Sequence, residues 1–135
     1  MEQTEVIIDT LKNKAFKDLD IPEEYTDAIK EFEEKKSELA KLLDEDWRKA
    51  TKELSELKIN QMTRQTFAET IYDLAVHYDI NNKRLLTDKY TWSASLHPDG
   101  GLVSLGGFDG GGVGGSRWRP GARYGSLGVS LSRRL

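Results

Sequence analysis

Residues 100–128 read GGLVSLGGFDGGGVGGSRWRPGARYGSLG, and they hold all twelve glycines of this 135-residue chain. The residues before them contain no glycine, and residues 90–135 contain no Lys, Glu, Gln, Met, Asn or Ile. Residues 1–89 are instead rich in Lys, Glu and Leu, which favour helices. The chain therefore divides into a helical part and a glycine-rich part, and we expect an α+β fold with strands at the C-terminal end.

The two parts also differ in charge. Residues 1–89 carry 15 basic and 21 acidic side chains, whereas residues 90–135 carry five arginines and two aspartates. The net charge of −3 thus combines −6 in the first part with +3 in the second. The chain has no cysteine, and its two histidines have no metal-ligand spacing. We predict no metal, no cofactor and no enzymatic activity.

No apolar run approaches the ~20 residues that span a bilayer, and no charged-then-apolar leader begins the sequence. We therefore expect no membrane insertion, no signal peptide and a cytoplasmic location at synthesis.

Residues 4–19 are predicted to form a first helix and residues 22–58 a second one, roughly 50 Å long. The second has no internal Gly or Pro after its start, and its apolar seam shows one phase slip, from Leu43 to Trp47. Because so small a chain cannot cover such a helix, we predict that residues 1–60 form a coiled coil between subunits, with a trimer expected. The alternative is a helix folded back on the first one. The seam comprises Ile29, Phe32, Lys36, Leu39, Leu43, Trp47, Ala50, Leu54 and Leu57.

A third helix is predicted over residues 63–78, where Thr66 and Glu69 form a capping box at its start. Helical spacing of its apolar residues defines the face that we expect to be buried. That face comprises Phe67, Ile71, Leu74, Ala75 and Tyr78.

Beyond this helix the apolar period becomes alternating, which predicts a small antiparallel sheet. Residues 91–96 and 102–105 form two strands that a turn over residues 97–100 joins. Residues 106–115 are predicted to be a loop, and residues 124–132 to be the last strand. The side chains expected to face the core are Trp92, Leu127, Val129 and Leu131.

Three short motifs carry a resemblance to a known family. Residues 62–67 read MTRQTF, residues 90–95 read YTWSAS, and residues 124–131 read YGSLGVSL. Together they resemble the C-terminal half of C-type-lectin-like domains of the formylglycine-generating type, which are common in phage and gut-bacterial proteins. The resemblance implies a partial lectin-like domain over residues 61–135.

The alphabet of the glycine-rich part adds a second clue. From Ser93 to Ser132, every residue except Trp118 can be encoded by a codon that ends in C and has two free bases before it. Diversity-generating retroelements randomise template adenines into this codon family, and members of the lectin-like family are frequent targets. The resemblance therefore implies a variable ligand-binding segment over residues 93–132. The alternative is a glycine-rich loop of ordinary origin.

The resemblance implies a phage-type structural or tail-tip protein, whose helical part oligomerises and whose lectin-like tip binds a protein or glycan on a host surface. Such a protein would end in the virion. The alternative function is a helical oligomer whose Arg/Gly-rich tail binds nucleic acid or a partner protein in a larger assembly. The predicted ligand-contacting residues are His97, Asp99, Ser104, Phe108, Asp109, Arg117, Trp118, Arg119, Arg123 and Tyr124.

Overall fold

The change in composition near Tyr90 is also the change from helices to strands. The computed structural model describes residues 1–119 and 125–130, so Arg123, Tyr124 and Leu131 lie outside the described residues. The predicted α+β class is confirmed. The helices are α1 (Glu2–Thr10), a π-helical turn (Leu11–Ala15), α2 (Glu23–Glu45), α3 (Trp47–Glu56), α4 (Lys58–Thr63) and α5 (Phe67–Asn81), and the strands are β1 (Tyr90–Leu96), β2 (Leu102–Asp109), β3 (Gly112–Trp118) and β4 (Leu127–Val129).

The single helix predicted over residues 22–58 is wrong, because the chain leaves the helical conformation at Asp46 and again at Leu57. The Asp46 carboxylate accepts a hydrogen bond from the backbone N–H of Lys49 at 3.2 Å, which makes it the N-cap of α3. Aspartate is among the best N-cap residues, since its side chain satisfies an amide that has no partner within the helix. Leu57 is extended, with φ −60° and ψ 135°.

Side chains from elsewhere stabilise the second break. Glu31 of α2 accepts a hydrogen bond from the Lys58 N–H at 3.1 Å, and Asn60 Nδ2 donates to the Leu54 carbonyl at 2.6 Å. Burial raises the pKa of Glu31, but the Lys58 amide and the Lys35 ammonium outweigh it, so the pKa lies below its usual value. These contacts occupy the backbone groups that a continuing helix would pair, which is why α3 ends here.

Most of the apolar seam is buried inside the same chain. Because of the break at Asp46, α3 and α4 both pack against α2. The seam also packs against α1, as in the alternative of a helix folded back on the first one. The uncovered seam was the reason to expect a coiled coil over residues 1–60, and this reason no longer applies. Self-association stays a prediction. The shared core contains Ile7, Ile8, Leu11, Ile29, Phe32, Leu39, Leu54, Leu57 and Ile59.

The four described strands form one mixed sheet in the order β3–β2–β1–β4. β2 pairs antiparallel with β1 and with β3, whereas β4 runs parallel to β1, with Tyr90 opposite Leu127 and Trp92 opposite Val129. The prediction of an antiparallel sheet is therefore wrong for the last strand. β3 and β4 lie on opposite edges, so β4 is not the hairpin partner of β3 and enters beside β1 in the same direction.

The loop predicted over residues 106–115 is also wrong, since β2 continues to Asp109 and β3 begins at Gly112. A tight reversal joins them: the Asp109 Oδ1 accepts a hydrogen bond from the Gly111 N–H at 2.8 Å. Gly112 has φ +113°, a conformation that side chains disfavour. The glycines that resembled a loop are thus the residues of a hairpin and its strands.

The start of α5 is held against β1. The Thr66 hydroxyl accepts a hydrogen bond from the Glu69 N–H at 3.2 Å, so its predicted role as N-cap is confirmed. The Phe67 N–H donates to Ser95 Oγ at 2.9 Å, and the Ala94 N–H donates to the Gln65 carbonyl at 2.7 Å.

The buried face predicted for α5 is only partly correct. Leu74 is buried as expected, but Ala75 is exposed and Phe67 is 37% exposed. Thr70 takes an inward position instead. The main contacts of the helix are with β1 and β2, and only a narrow stripe of the helix is buried.

Trp92 is confirmed as a core residue, with only 4% of its surface exposed. Replacing Trp92 with Ala should lower the free energy of unfolding by about 3–5 kcal/mol, because it empties a packed site in the sheet. Tyr72→Ala is the control, since Tyr72 on α5 is 69% exposed and its removal should change stability by less than ~0.5 kcal/mol. Urea denaturation of both variants measures the difference, and equal losses would contradict the assignment of Trp92 to the core.

Candidate ligand-binding site

A pocket of about 260 Å³ opens between the N-terminal end of α3 and one end of the sheet. Its walls come from the first turn of α3, from the turn between β1 and β2, and from the end of β3. It therefore joins the Lys/Glu-rich part of the sequence to the glycine-rich part. The lining residues are Trp47, Arg48, Asp99, Gly101, Arg117, Trp118 and Arg119.

The turn between β1 and β2, predicted over residues 97–100, is confirmed and is organised by the Asp99 carboxylate. Its Oδ1 accepts a hydrogen bond from the Gly101 N–H at 2.9 Å and lies 3.0 Å from His97 Nδ1. Its Oδ2 pairs with Arg117 Nε at 2.5 Å. The turn therefore holds the end of β3 beside the pocket.

Asp99 is anionic because the turn stabilises its charge. The Gly101 amide is the largest influence and lowers the pKa of Asp99; the His97 and Arg117 side chains lower it further. Desolvation, the second-largest influence, raises the pKa without reversing the result. A carboxylate that accepts hydrogen bonds from fixed donors stays ionised at neutral pH.

Arg48 connects α3 to the same turn. Its Nε donates a hydrogen bond to the Asp99 carbonyl at 2.9 Å. Gly100 makes room for this approach, since a Cβ built at that position would lie 3.0 Å from Arg48 Cγ, and its φ of +91° independently favours glycine. The first turn of α3 is thus fixed to the sheet through an arginine stem.

The Trp47 indole is contacted by two arginines from distant parts of the sequence. The Arg48 Cζ lies 4.4 Å from the ring centroid and the Arg119 Cζ lies 5.1 Å from it. A guanidinium over an indole face is attracted by the ring quadrupole, and tryptophan gives the strongest such contact. Trp47 therefore holds two cationic groups beside the pocket.

The structure brings together several of the predicted contact residues. Asp99, Arg117, Trp118 and Arg119 line the pocket, and His97 contacts Asp99 from the turn. These residues come from two separate stretches of the glycine-rich part. Pairing of Leu102 with Trp118 in the β2–β3 ladder is what aligns the two stretches.

Ser104 was predicted to be displayed, and this is wrong. It lies in β2, between β1 and β3, with no exposed surface, and its hydroxyl contacts the Ser116 carbonyl at 3.5 Å. Because its side chain has no exposed surface, it cannot contact a ligand.

Phe108 and Asp109 lie at the other end of β2, away from the pocket. The Phe108 ring packs edge-on to Tyr78 of α5, with centroids 5.7 Å apart, and the Arg84 guanidinium lies over both rings. Asp109 is exposed and closes the hairpin. Phe108 therefore contributes to packing against α5, and the prediction of one common surface is wrong for this pair.

Trp47 and Arg48 were not predicted as site residues. Trp47 was assigned to the coiled-coil seam, and Arg48 was assigned no role. The phase slip from Leu43 to Trp47 was a usable signal, because Asp46 lies inside it and is a strong N-cap residue. A slip that contains a cap residue indicates a helix start more readily than a continuous coiled coil.

Other chemistry is limited in the described part of the chain. Within residues 1–119 and 125–130, no group of three or more His, Asp or Glu side chains is placed to hold a metal ion. No helix in these ranges is both long and apolar enough to cross a membrane. The chain matches no protein-family model, no curated protein and no solved structure.

The Asp99 carboxyl should titrate below the usual aspartate range, because the Gly101 amide, His97 and Arg117 all favour its charged form. Since the pKa is lowered on folding, the stabilisation that Asp99 provides is present above the unfolded-state pKa. It is lost as the pH falls through the lower folded-state pKa. NMR titration of the side-chain carboxyl measures this, and a midpoint at or above the ordinary value would contradict the described turn. Asp99→Asn should broaden or shift the Gly101 amide signal.

Proposed function

We propose that this chain is a non-enzymatic ligand-binding protein, with its site in the pocket between α3 and the sheet. The observation that carries the proposal is the convergence of Asp99, Arg117 and Arg119 on Trp47 and Arg48. A concave surface with aromatic walls and a few fixed polar groups is the usual form of a binding site. The ligand we expect is a protein or glycan on a host surface, as for a phage-type structural or tail-tip protein.

The lectin-like part of the proposal rests on two supports. The motifs at residues 62–67 and 90–95, which carry the resemblance, contact each other through the Ala94–Gln65 and Phe67–Ser95 hydrogen bonds. The codon-restricted alphabet of residues 93–132 supports diversification of the segment that contains Arg117 and Arg119. Assembly into a homo-oligomer, with a trimer expected, would multiply weak binding at single sites.

If residues 93–132 are diversified, the fold limits which of them can change. Ser93 and Ser104 are fully buried, and the Ser93 hydroxyl donates a hydrogen bond to the Val103 carbonyl at 2.8 Å. A Cβ built on Gly106 would lie 1.9 Å from the Lys89 carbonyl oxygen. We propose that variation is confined to exposed positions such as Arg117, and that the buried ones are constant.

A second candidate function is binding of single-stranded nucleic acid. Guanidinium groups beside indole rings, as at Trp47 and Trp118, are a combination that holds bases and phosphates. Affinity for an oligonucleotide that falls steeply with salt would favour this function. Retention of a glycan or protein without such salt dependence would favour the first.

Gly106→Ala tests the limit on variation. The substitution should lower the free energy of unfolding by about 1–3 kcal/mol, because backbone at the start of β1 must move to admit the new methyl group. Gly110→Ala is the matched control in the same hairpin, since no atom lies within 4 Å of its Cβ position. Thermal unfolding of both variants measures the contrast. Equal tolerance at the two sites would mean that the close approach of β2 to Lys89 is not a constraint.

The binding site itself is tested by replacing Arg117 and Arg119 together with Ser. Retention on arrays of glycans and host-surface proteins should be lost, because arginine and its partners carry a large share of interface energy. Stability should change by less than ~1 kcal/mol, since both residues are exposed.

The matched control is the double variant Lys49→Ser and Lys52→Ser, which removes the same charge from exposed positions of α3. It should bind like the unmodified chain. Equal retention by the arginine variant and the lysine variant would contradict the proposed site.

A further inference from the structure

The pocket contains more positive charge than its own carboxylate neutralises. Arg48, Arg117 and Arg119 line it together with one acid, Asp99, and that acid is paired with Arg117. Neither Arg48 nor Arg119 forms an ion pair with a carboxylate among the described residues. Because like charges repel, an anion bound beside these two guanidinium groups would lower the electrostatic energy of the pocket.

Among residues 1–119 and 125–130, these two side chains also keep hydrogen-bond donors without a partner. Arg48 uses its Nε for the Asp99 carbonyl, which leaves both terminal amino groups. Within the described part of the chain, Arg119 makes only its contact with the Trp47 ring. A guanidinium fork with free terminal nitrogens matches the oxygens of a phosphate or carboxylate and binds them with charge-assisted hydrogen bonds.

The size and walls of the pocket limit the kind of ligand that it can hold. Its volume of about 260 Å³ is at the small end for a ligand site, so it takes one functional group with a short attachment rather than a large molecule. The indoles of Trp47 and Trp118 supply flat apolar walls next to the cations. An anion attached to a ring or a short carbon chain fits this combination.

We infer that the pocket binds a phosphomonoester group, with Arg48 and Arg119 contacting its oxygens and the indoles contacting the attached carbon group. The charge decides between anions: a phosphomonoester carries about −1.5 to −2 at pH 7, close to the two unpaired guanidinium charges. A sulfate ester or a carboxylate carries a single negative charge and leaves part of the repulsion. The inference deepens the proposed function and depends on the same site being used.

The residues of the site come from both compositional parts of the sequence. Arg48 and Trp47 belong to the Lys/Glu-rich part, outside residues 93–132, whereas Arg119 belongs to the segment with the restricted alphabet. A constant arginine would therefore hold the phosphate in every variant of the protein. Position 119 would adjust how tightly it is held.

Calorimetric titration of the full chain at fixed ionic strength tests this with phenyl phosphate, phenyl sulfate and benzoate. We expect phenyl phosphate to bind best. Arg48→Met and Arg119→Met should each weaken it by about tenfold or more, the usual effect of losing a hydrogen bond to a charged group. Lys52→Met is the control, because it removes a cation from an exposed position of α3 outside the pocket.

Because Arg48 also holds the turn, NMR spectra of the unmodified chain give a second readout. Phenyl phosphate should shift the Trp47 indole and the Gly100 and Gly101 amide signals. Equal affinity for the three probes, undiminished binding in the arginine variants, or no shift at these signals would overturn the inference. Loss of array retention in the Arg117/Arg119 double variant, without any phenyl phosphate binding, would overturn the phosphate inference and leave the proposed binding function standing.

Discussion

The reversal of the helical chain at Asp46 is the constraint on which the rest of the structure depends. A helix that continued past this residue would carry its apolar seam away from α2 and α1. Because the Asp46 carboxylate satisfies the Lys49 amide, a new helix starts in another direction and the seam closes on itself. The same reversal brings the first turn of α3 to the end of the sheet, where Arg48 reaches the Asp99 carbonyl.

The two compositional parts of the chain are in direct contact at several points. The N-terminal end of α5 hydrogen-bonds to β1, and Val129 of β4 packs against the helical core. Leu54 of α3 and Leu102 of β2 line a common small cavity. A ligand in the pocket between α3 and β3 would contact both parts at once, so its binding would be linked to how firmly they are joined.

Composition and periodicity were sufficient for the fold class, for the Thr66 cap and for the turn around Asp99, because each depends on local chemistry. They were not sufficient where contacts between residues distant in sequence determine the structure. The end of α3 depends on Glu31 of α2 and on the Asn60 side chain, neither of which follows from local pattern. The placement of Ser104 and the direction of β4 depend on which strands become neighbours. Trp47 was read only as an apolar seam residue, although its ring also lines the pocket.

β3 affects how copies of this protein interact in concentrated solution. It is the outer strand of the described sheet, and its glycines leave much of its backbone uncovered. Such an edge can pair with a strand from another molecule and begin aggregation. Arg117 and Arg119 place positive charge at its end, where like charges on two approaching chains oppose that pairing. Replacing both arginines would therefore remove this opposing charge and favour association between copies through β3.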